Sequence, residues 1–238
     1  MTPRNSDALF VEQLYTKRAK FYRWLFIRFF RYGAGLQAFF RDHPHYRAPQ
    51  VTRVLDAGCG SGTLVRGIHA VDPDVARQFF AFDLTQKMRD DFPKWAGSQK
   101  KLDLTLIKAD VTDPAWGRAE GWHGFDMVMS SAMLEYVPKE SLPIAFENLR
   151  ESLSDDGIFI LFITRKNVLM HWLIEKWWKA RAYSKEEIND LLVDAGFTDV
   201  RFERFPFPYS HLNIWGHIIE ARRGKAAVKG TVVRRCEL

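Results

Sequence analysis

Cysteine is nearly absent: the 238 residues contain only Cys59 and Cys236. They form no C-x-x-C pair, which argues against a disulfide framework or a cysteine-built zinc site, and no metal is expected. A reducing, cytoplasmic compartment fits. Long hydrophobic runs are also missing. The longest apolar stretch, Phe21 to Phe30, is interrupted by Arg23 and Arg28, and is too short and too charged to span a bilayer. The opening residues Met1 to Asp7 are polar, so no signal peptide is expected. There is no internal repeat and no low-complexity segment.

What remains is ordinary globular material, 47% hydrophobic and 27% charged, enough for one α/β domain with added helices. The net charge of +6 has two sources. Lys17, Lys20, Arg28 and Arg31 share one stripe of a helical segment over 8–40, with Leu14, Leu25, Phe29 and Tyr32 facing another way. Gly33 and Gly35 suggest a break after it. Arg222, Arg223, Lys225, Lys229, Arg234 and Arg235 form a basic tail, read as a frayed, solubilising end. Basic charge can attract nucleic acid, anionic lipid or acidic substrates.

From Val51 onward, short apolar runs alternate with helical patterns. Val51–Asp56, Phe79–Asp83, Leu104–Asp110, Phe125–Ser130 and Gly157–Ile163 read as buried strands, with a helix over Ser141–Leu153 before the fifth. This repetition predicts parallel pairing with right-handed crossovers. Ser184 and Glu187 form a capping box opening a helix that Gly196 stops. Strands over Val200–Phe205 and Ile214–Ala221 follow, joined through Pro206–Tyr209, and can pair as an antiparallel hairpin at one sheet edge.

The strand ending at Leu55 runs into Asp56-Ala57-Gly58-Cys59-Gly60-Ser61-Gly62. Glycines at alternate positions let a ligand approach the backbone without Cβ clashes, over the carboxyl edge of the sheet, where open α/β folds bind cofactors. A dinucleotide fingerprint would need glycine at Thr63. Asp56 would repel a pyrophosphate and suit an ammonium or sulfonium group. Asp83 closes the next strand, at the spacing of a carboxylate that accepts ribose hydroxyls. Asp110 closes the third, where it can meet an adenine amine. Strand-end acids are also common as caps, so their joint placement carries the reading.

These residues resemble the motifs of class I S-adenosylmethionine-dependent methyltransferases: Val54 to Gly62 the first, Phe82-Asp83-Leu84 with Met88 the second, Ala109-Asp110-Val111 the third. Phe125–Val128 through Leu134-Glu135-Tyr136-Val137-Pro138 resembles the fourth strand and its loop, and Ala195-Gly196-Phe197 the turn before the sixth. The resemblance implies a Rossmann-like, doubly wound, seven-stranded sheet, mostly parallel with the last strand antiparallel. It implies S-adenosylmethionine as cofactor. Gly58 and Gly60 would line its amino acid part, Asp83 hold the ribose, and Leu84 and Met88 sandwich the adenine. Asp110 would contact the adenine amine, and Ser130 and Ser131 would lie near the reacting methyl. Asp56, Cys59 and Val111 complete the set. The expected organisation is a helical cap over 1–50, the cofactor-binding domain over 51–222 and a basic tail over 223–238.

A base is needed only if the acceptor must lose a proton. His171 and Tyr136 are the candidates carried forward. Glu135, Tyr209 and His211 are weaker ones, and for each an ordinary structural role is at least as good a reading. Tyr15, Phe21 and Tyr22 resemble the aromatic lead-in of relatives that methylate quinones. The tryptophan-rich segment 167–180 reads either as a lid over an apolar acceptor or as simple packing. A small, apolar or lipid-like acceptor is therefore expected, with peripheral membrane contact through residues 17–32 as an accompanying reading. A nucleic-acid acceptor is disfavoured, because Ser130 to Tyr136 lacks the Asn/Asp-Pro-Pro-Tyr/Phe motif of enzymes that methylate base amines. A non-catalytic scaffold and a nicotinamide-dependent oxidoreductase are the remaining alternatives.

Overall fold

A computed structural model describes residues 31–85, 91–99, 101–116, 121–168 and 180–224. Their elements run α1 (Tyr32–Asp42), β1 (Arg53–Ala57), α2 (Thr63–His69), β2 (Arg77–Asp83), α3 (Asp91–Gly97), β3 (Leu102–Lys108), β4 (Phe125–Ser131), α4 (Leu142–Ser152), β5 (Leu153–Thr164), α5 (Lys185–Asp194), β6 (Phe197–Glu203) and β7 (Gly216–Arg223). The seven strands form one sheet in the order β3-β2-β1-β4-β5-β7-β6. The pairs among β1 to β5 are parallel. β7 runs antiparallel to both β5 and β6. This is the Rossmann-like sheet expected from the sequence.

Apolar residues on both faces of the central strands explain why they read as unbroken hydrophobic runs. On β5, Ile158, Ile160 and Phe162 join an apolar layer that includes Leu36, Phe39 and Phe40 of α1 and Leu64 and Ile68 of α2. Phe159, Leu161 and Ile163 join the opposite layer, with Phe146 and Leu149 of α4 and Ile188 and Leu192 of α5. The sheet is thus the middle of three layers.

Four expectations need correction. Gly33 and Gly35 do not break a helix but lie inside α1. A Cβ at Gly35 would collide with Leu212 Cδ1, so glycine serves close packing there. The third strand stops at Lys108, and Asp110 stands in the turn beyond it. Arg222 and Arg223 belong to β7 rather than to a frayed tail, and Arg223 donates to the carbonyl of Leu153. Finally, β7 begins at Gly216, because Ser210–Ile214 forms a 3₁₀ turn.

Candidate functional site

The glycine loop joins β1 to α2 at the carboxyl edge of the sheet. Gly58, Gly60 and Gly62 all take left-handed backbone angles, with φ of 72°, 52° and 75°, which L side chains rarely adopt. The alternate glycines are therefore required by conformation as well as by ligand approach. The N–H groups of Gly58 and Cys59 both donate to Phe82 O at 2.9 Å, fastening the loop to the end of β2. Cys59 itself turns its side chain into the core beside α2, leaving only its backbone at the loop.

Asp83, at the end of β2, completes the cradle. Its Oδ2 accepts the Gly60 N–H at 2.9 Å. Its Oδ1 accepts the Thr85 N–H at 2.8 Å and the Thr85 hydroxyl at 2.7 Å. Asp110 repeats the device, with Oδ1 accepting from Thr112 N at 2.9 Å and Thr112 Oγ1 at 2.8 Å. In both Asp-x-Thr turns one carboxylate oxygen is saturated by the chain, which fixes the side-chain rotamer. Asp83 Oδ2 keeps one acceptor site beyond Gly60, and Asp110 Oδ2 takes no donor among the described residues. Leu84 is half-buried between Asp83 and Thr85. Val111 is buried, and its carbonyl accepts from Asn148 Nδ2 at 2.9 Å.

Asp56 differs from its expected role. It is fully buried at the end of β1, where it accepts the backbone N–H of Val65. Burial and the neighbouring Asp83 push its carboxyl up to about 8. A carboxyl held neutral at pH 7 repels no pyrophosphate, so charge repulsion at Asp56 does not by itself exclude a dinucleotide. Its Oδ2 has no hydrogen-bond partner among the described residues, so the proton of the neutral carboxyl is left as a donor beneath the loop.

Ser130 and Ser131 end β4 beside the loop, Ser130 being paired with Ala57. Ser130 Oγ is buried without a partner among the described residues. Ser131 Oγ meets Tyr32 Oη at 2.9 Å, so α1 reaches over to the carboxyl edge of β4. Beyond β4, Ala132 takes a φ of 52°, and a Cβ at Gly58 would collide with the Met133 side chain. Tyr136 is half-buried in the following 3₁₀ turn, Leu134–Tyr136. Its neighbour Glu135 is buried, and its Oε1 accepts from Thr164 N at 2.9 Å and Thr164 Oγ1 at 3.0 Å. Tyr209 and His211 stand on the β6–β7 connection, with the Arg31 guanidinium 5.8 Å over the Tyr209 ring.

The structure thus brings Asp56, Gly58, Gly60, Asp83, Ser130 and Ser131 together around one loop. Met88, His171, Tyr15, Phe21, Tyr22, the basic positions 17–30 and residues 169–179 and 225–238 lie outside the described residues. The sequence did not point to Tyr32, Thr85, Thr112 or Thr164 as site residues. The duplicated Asp-x-Thr spacing was a readable signal for two of them.

A family model described as "Methyltransferase domain" matches residues 54–157, from β1 to the beginning of β5. Over that stretch the chain is similar to a methyltransferase domain. No curated protein matches the chain in sequence. Among solved structures, magnesium protoporphyrin IX methyltransferase (ChlM) from Synechocystis PCC 6803, with bound SAM, aligns with a TM-score of 0.61 at 20% identity, over 92% of this chain and 97% of that one. The CMeT domain of the citrinin polyketide synthase aligns with a TM-score of 0.61 at 16% identity, over 79% of this chain and 51% of that one. The pyocyanin biosynthetic protein PhzM aligns at 0.54 and 20%, over 76% and 54%. This chain therefore spans about half the length of the latter two. At these identities the likeness concerns the fold.

S-adenosylmethionine, the cofactor expected from the sequence and bound in the Synechocystis structure, suits the residues present. The loop is bare at its left-handed glycines. Asp83 and Asp110 each offer an acceptor oxygen toward hydroxyl or amine donors. Among the described residues no group of histidine, cysteine, aspartate and glutamate could hold a metal ion.

Proposed function

We propose that this chain transfers a methyl group from S-adenosylmethionine to a small, largely apolar acceptor. The observation that carries the reading is the hydrogen bond from Gly60 N–H to Asp83 Oδ2. It joins a glycine loop stripped of side chains to a carboxylate that can receive a ribose hydroxyl. As they stand, the carboxylate oxygens can accept one hydroxyl at Oδ2. Receiving both would require Thr85 or Gly60 to release its bond.

The cofactor supplies a methyl carbon already activated by the adjacent sulfonium. The protein's work is alignment and exclusion of water. Ser131 and Tyr32, hydrogen-bonded to each other, border the end of β4 where the acceptor would approach. Tyr136, in the 3₁₀ turn that follows β4, is the residue we propose to take a proton, should the acceptor carry one. The rim of this edge is apolar. Val168, Phe207 and Ile214 are large exposed hydrophobics, and Asn167 Nδ2 donates to Ile214 O at 2.8 Å, drawing two of those segments together. The named neighbours, a polyketide synthase domain, a porphyrin methyltransferase and a pyocyanin biosynthetic protein, point to small-molecule acceptors as well. Among the described residues no helix is long and apolar enough to cross a membrane.

Calorimetry with S-adenosylhomocysteine tests the cofactor assignment. The wild type should bind, and D83A should bind at least about tenfold more weakly, the loss of a hydrogen bond to a charged group being worth about 1.5–3 kcal/mol. Absence of any binding heat in the wild type would refute the assignment. Methyl-labelled cofactor incubated with cell extract tests the acceptor. Label should enter the organic phase, and label recovered in RNA would replace this reading with nucleic-acid methylation.

A further inference from the structure

The loop that follows β4 is held by an interaction the cofactor motifs do not explain. Its first residue, Ala132, is in the left-handed region with φ 52°, a conformation that persists only where the surroundings over-determine it. Ala132 N donates to Phe162 O at 3.1 Å, and Tyr136 N to Met133 O at 3.0 Å. Between them the Met133 side chain occupies the space a Cβ at Gly58 would need. The geometry of this loop therefore sets one wall of the glycine cradle.

Glu135 lies at the centre of what fixes the loop. Its Oε1 takes both donors of Thr164, at 2.9 and 3.0 Å, tying the loop to the carboxyl end of β5. Its backbone carbonyl takes Arg181 N at 3.1 Å, and Arg181 Nη1 donates to Val137 O at 2.6 Å. Tyr183 N donates to Thr164 O at 3.0 Å, and Lys166 N to Tyr183 O at 2.8 Å. Three stretches of chain, at 132–137, 164–166 and 181–183, are thus bonded together about Glu135, which is 2% exposed and whose carboxylate takes the Thr164 donors.

The arrangement is expensive for a purely structural tie. Glu135 Oε2 and Tyr183 Oη are both buried with no hydrogen-bond partner among the described residues. Burial pushes the Glu135 carboxyl up to about 7, against the pull of backbone hydrogen bonds and of Thr164. A buried acid with one saturated and one unsatisfied oxygen costs stability relative to an apolar residue, and its position beside the cradle gives the cost a use.

We infer that Glu135 is a positioning residue for methyl transfer, its carboxylate locking the loop that carries Met133 over Gly58 to Thr164 while its backbone carbonyl holds Arg181. It touches neither cofactor nor acceptor in this role. It keeps Met133 against the glycine loop, and with it the shape of the pocket end next to Ser131. This rests on the cofactor reading given above.

The test uses the full chain with E135Q, E135A and T164V. Glutamine retains a carbonyl that accepts both Thr164 donors, whereas alanine retains none, and T164V removes the hydroxyl alone. S-adenosylhomocysteine should bind E135Q within about threefold of wild type. E135A should bind at least about tenfold more weakly, with T164V between them. Amide hydrogen exchange at Thr164 and Tyr136, measured without ligand, should quicken in E135A and not in E135Q. L149A, which opens a cavity in the other apolar layer, controls for general loss of stability and should leave the affinity unchanged. If E135A does not fold, the ranking of T164V below E135Q decides. Equal affinity in all three variants, or a loss in E135A matched by L149A, overturns the inference. Absence of binding in the wild type overturns the cofactor assignment instead, which separates the two failures.

Discussion

At the residue scale the site depends on a few atoms whose environment reverses their usual behaviour. Asp56 and Glu135 are fully buried acids with carboxyls pushed up to about 8 and about 7 by desolvation. In the unfolded chain both would titrate at about 4. The folded state therefore holds protons that the unfolded state releases. The stability these groups contribute is fully present below about pH 4 and is lost as pH rises through their folded values. We expect the urea midpoint of D56N to fall less than that of the wild type between pH 5 and pH 8. The difference should amount to a few kcal/mol at most, a tenfold change in proton affinity being worth about 1.4 kcal/mol. Parallel curves for the two proteins would show that Asp56 is ionised in the fold. None of this was legible in the sequence. An aspartate beside glycines reads as a charge, and only its burial against α2 makes it neutral.

The elements show which signals are local. The capping box over α5 was legible because all of its parts lie within four residues. Ser184 Oγ accepts from Glu187 N at 3.1 Å and Glu187 Oε2 accepts from Ser184 N at 2.8 Å. S184A should lower the stability to urea by about 1 kcal/mol without changing affinity for S-adenosylhomocysteine, because α5 packs on the sheet away from the glycine loop. The central strands β1, β4 and β5 were legible as apolar runs, since both faces are covered, whereas edge strand β3 leaves Asp103 and Thr105 exposed. Their ends were less so: the strand ladder that stops at Lys108 depends on pairing with Asp83, which no run of residues announces. The two glycines of α1 misled for the same reason. Their helix is held by the burial of Leu36, Phe39 and Phe40, and Gly35 alone is required by the approach of Leu212.

For the whole molecule, the decisive contacts join distant stretches of chain. Tyr46, completely buried after α1, donates to Glu220 Oε2 on β7 at 2.6 Å, and His45 Nε2 meets the same oxygen at 2.9 Å. Burial would raise the Glu220 carboxyl, but these bonds, with Arg222 nearby, hold it below its ordinary value. Burial and that carboxylate push the Tyr46 phenol upward. Y46F should cost about 1–3 kcal/mol, the penalty of removing a donor from a buried charged acceptor. The melting temperature should drop while ligand affinity stays unchanged, since Glu220 pairs with Ile160 in mid-sheet rather than at the carboxyl edge. An unaltered melting curve would show that His45 and Arg222 suffice.

Strand β7 lies between β5 and β6 and pairs with both. While the chain emerges from the ribosome, β5 is therefore an open edge, with unsatisfied amides and carbonyls along its length, until Arg223 has been synthesised. At about 5–20 residues per second, the roughly sixty residues from Thr164 to Arg223 take several seconds to follow. During that interval the nascent protein displays a sticky strand, so its yield in a cell should depend more on chaperone capacity than its finished stability would suggest.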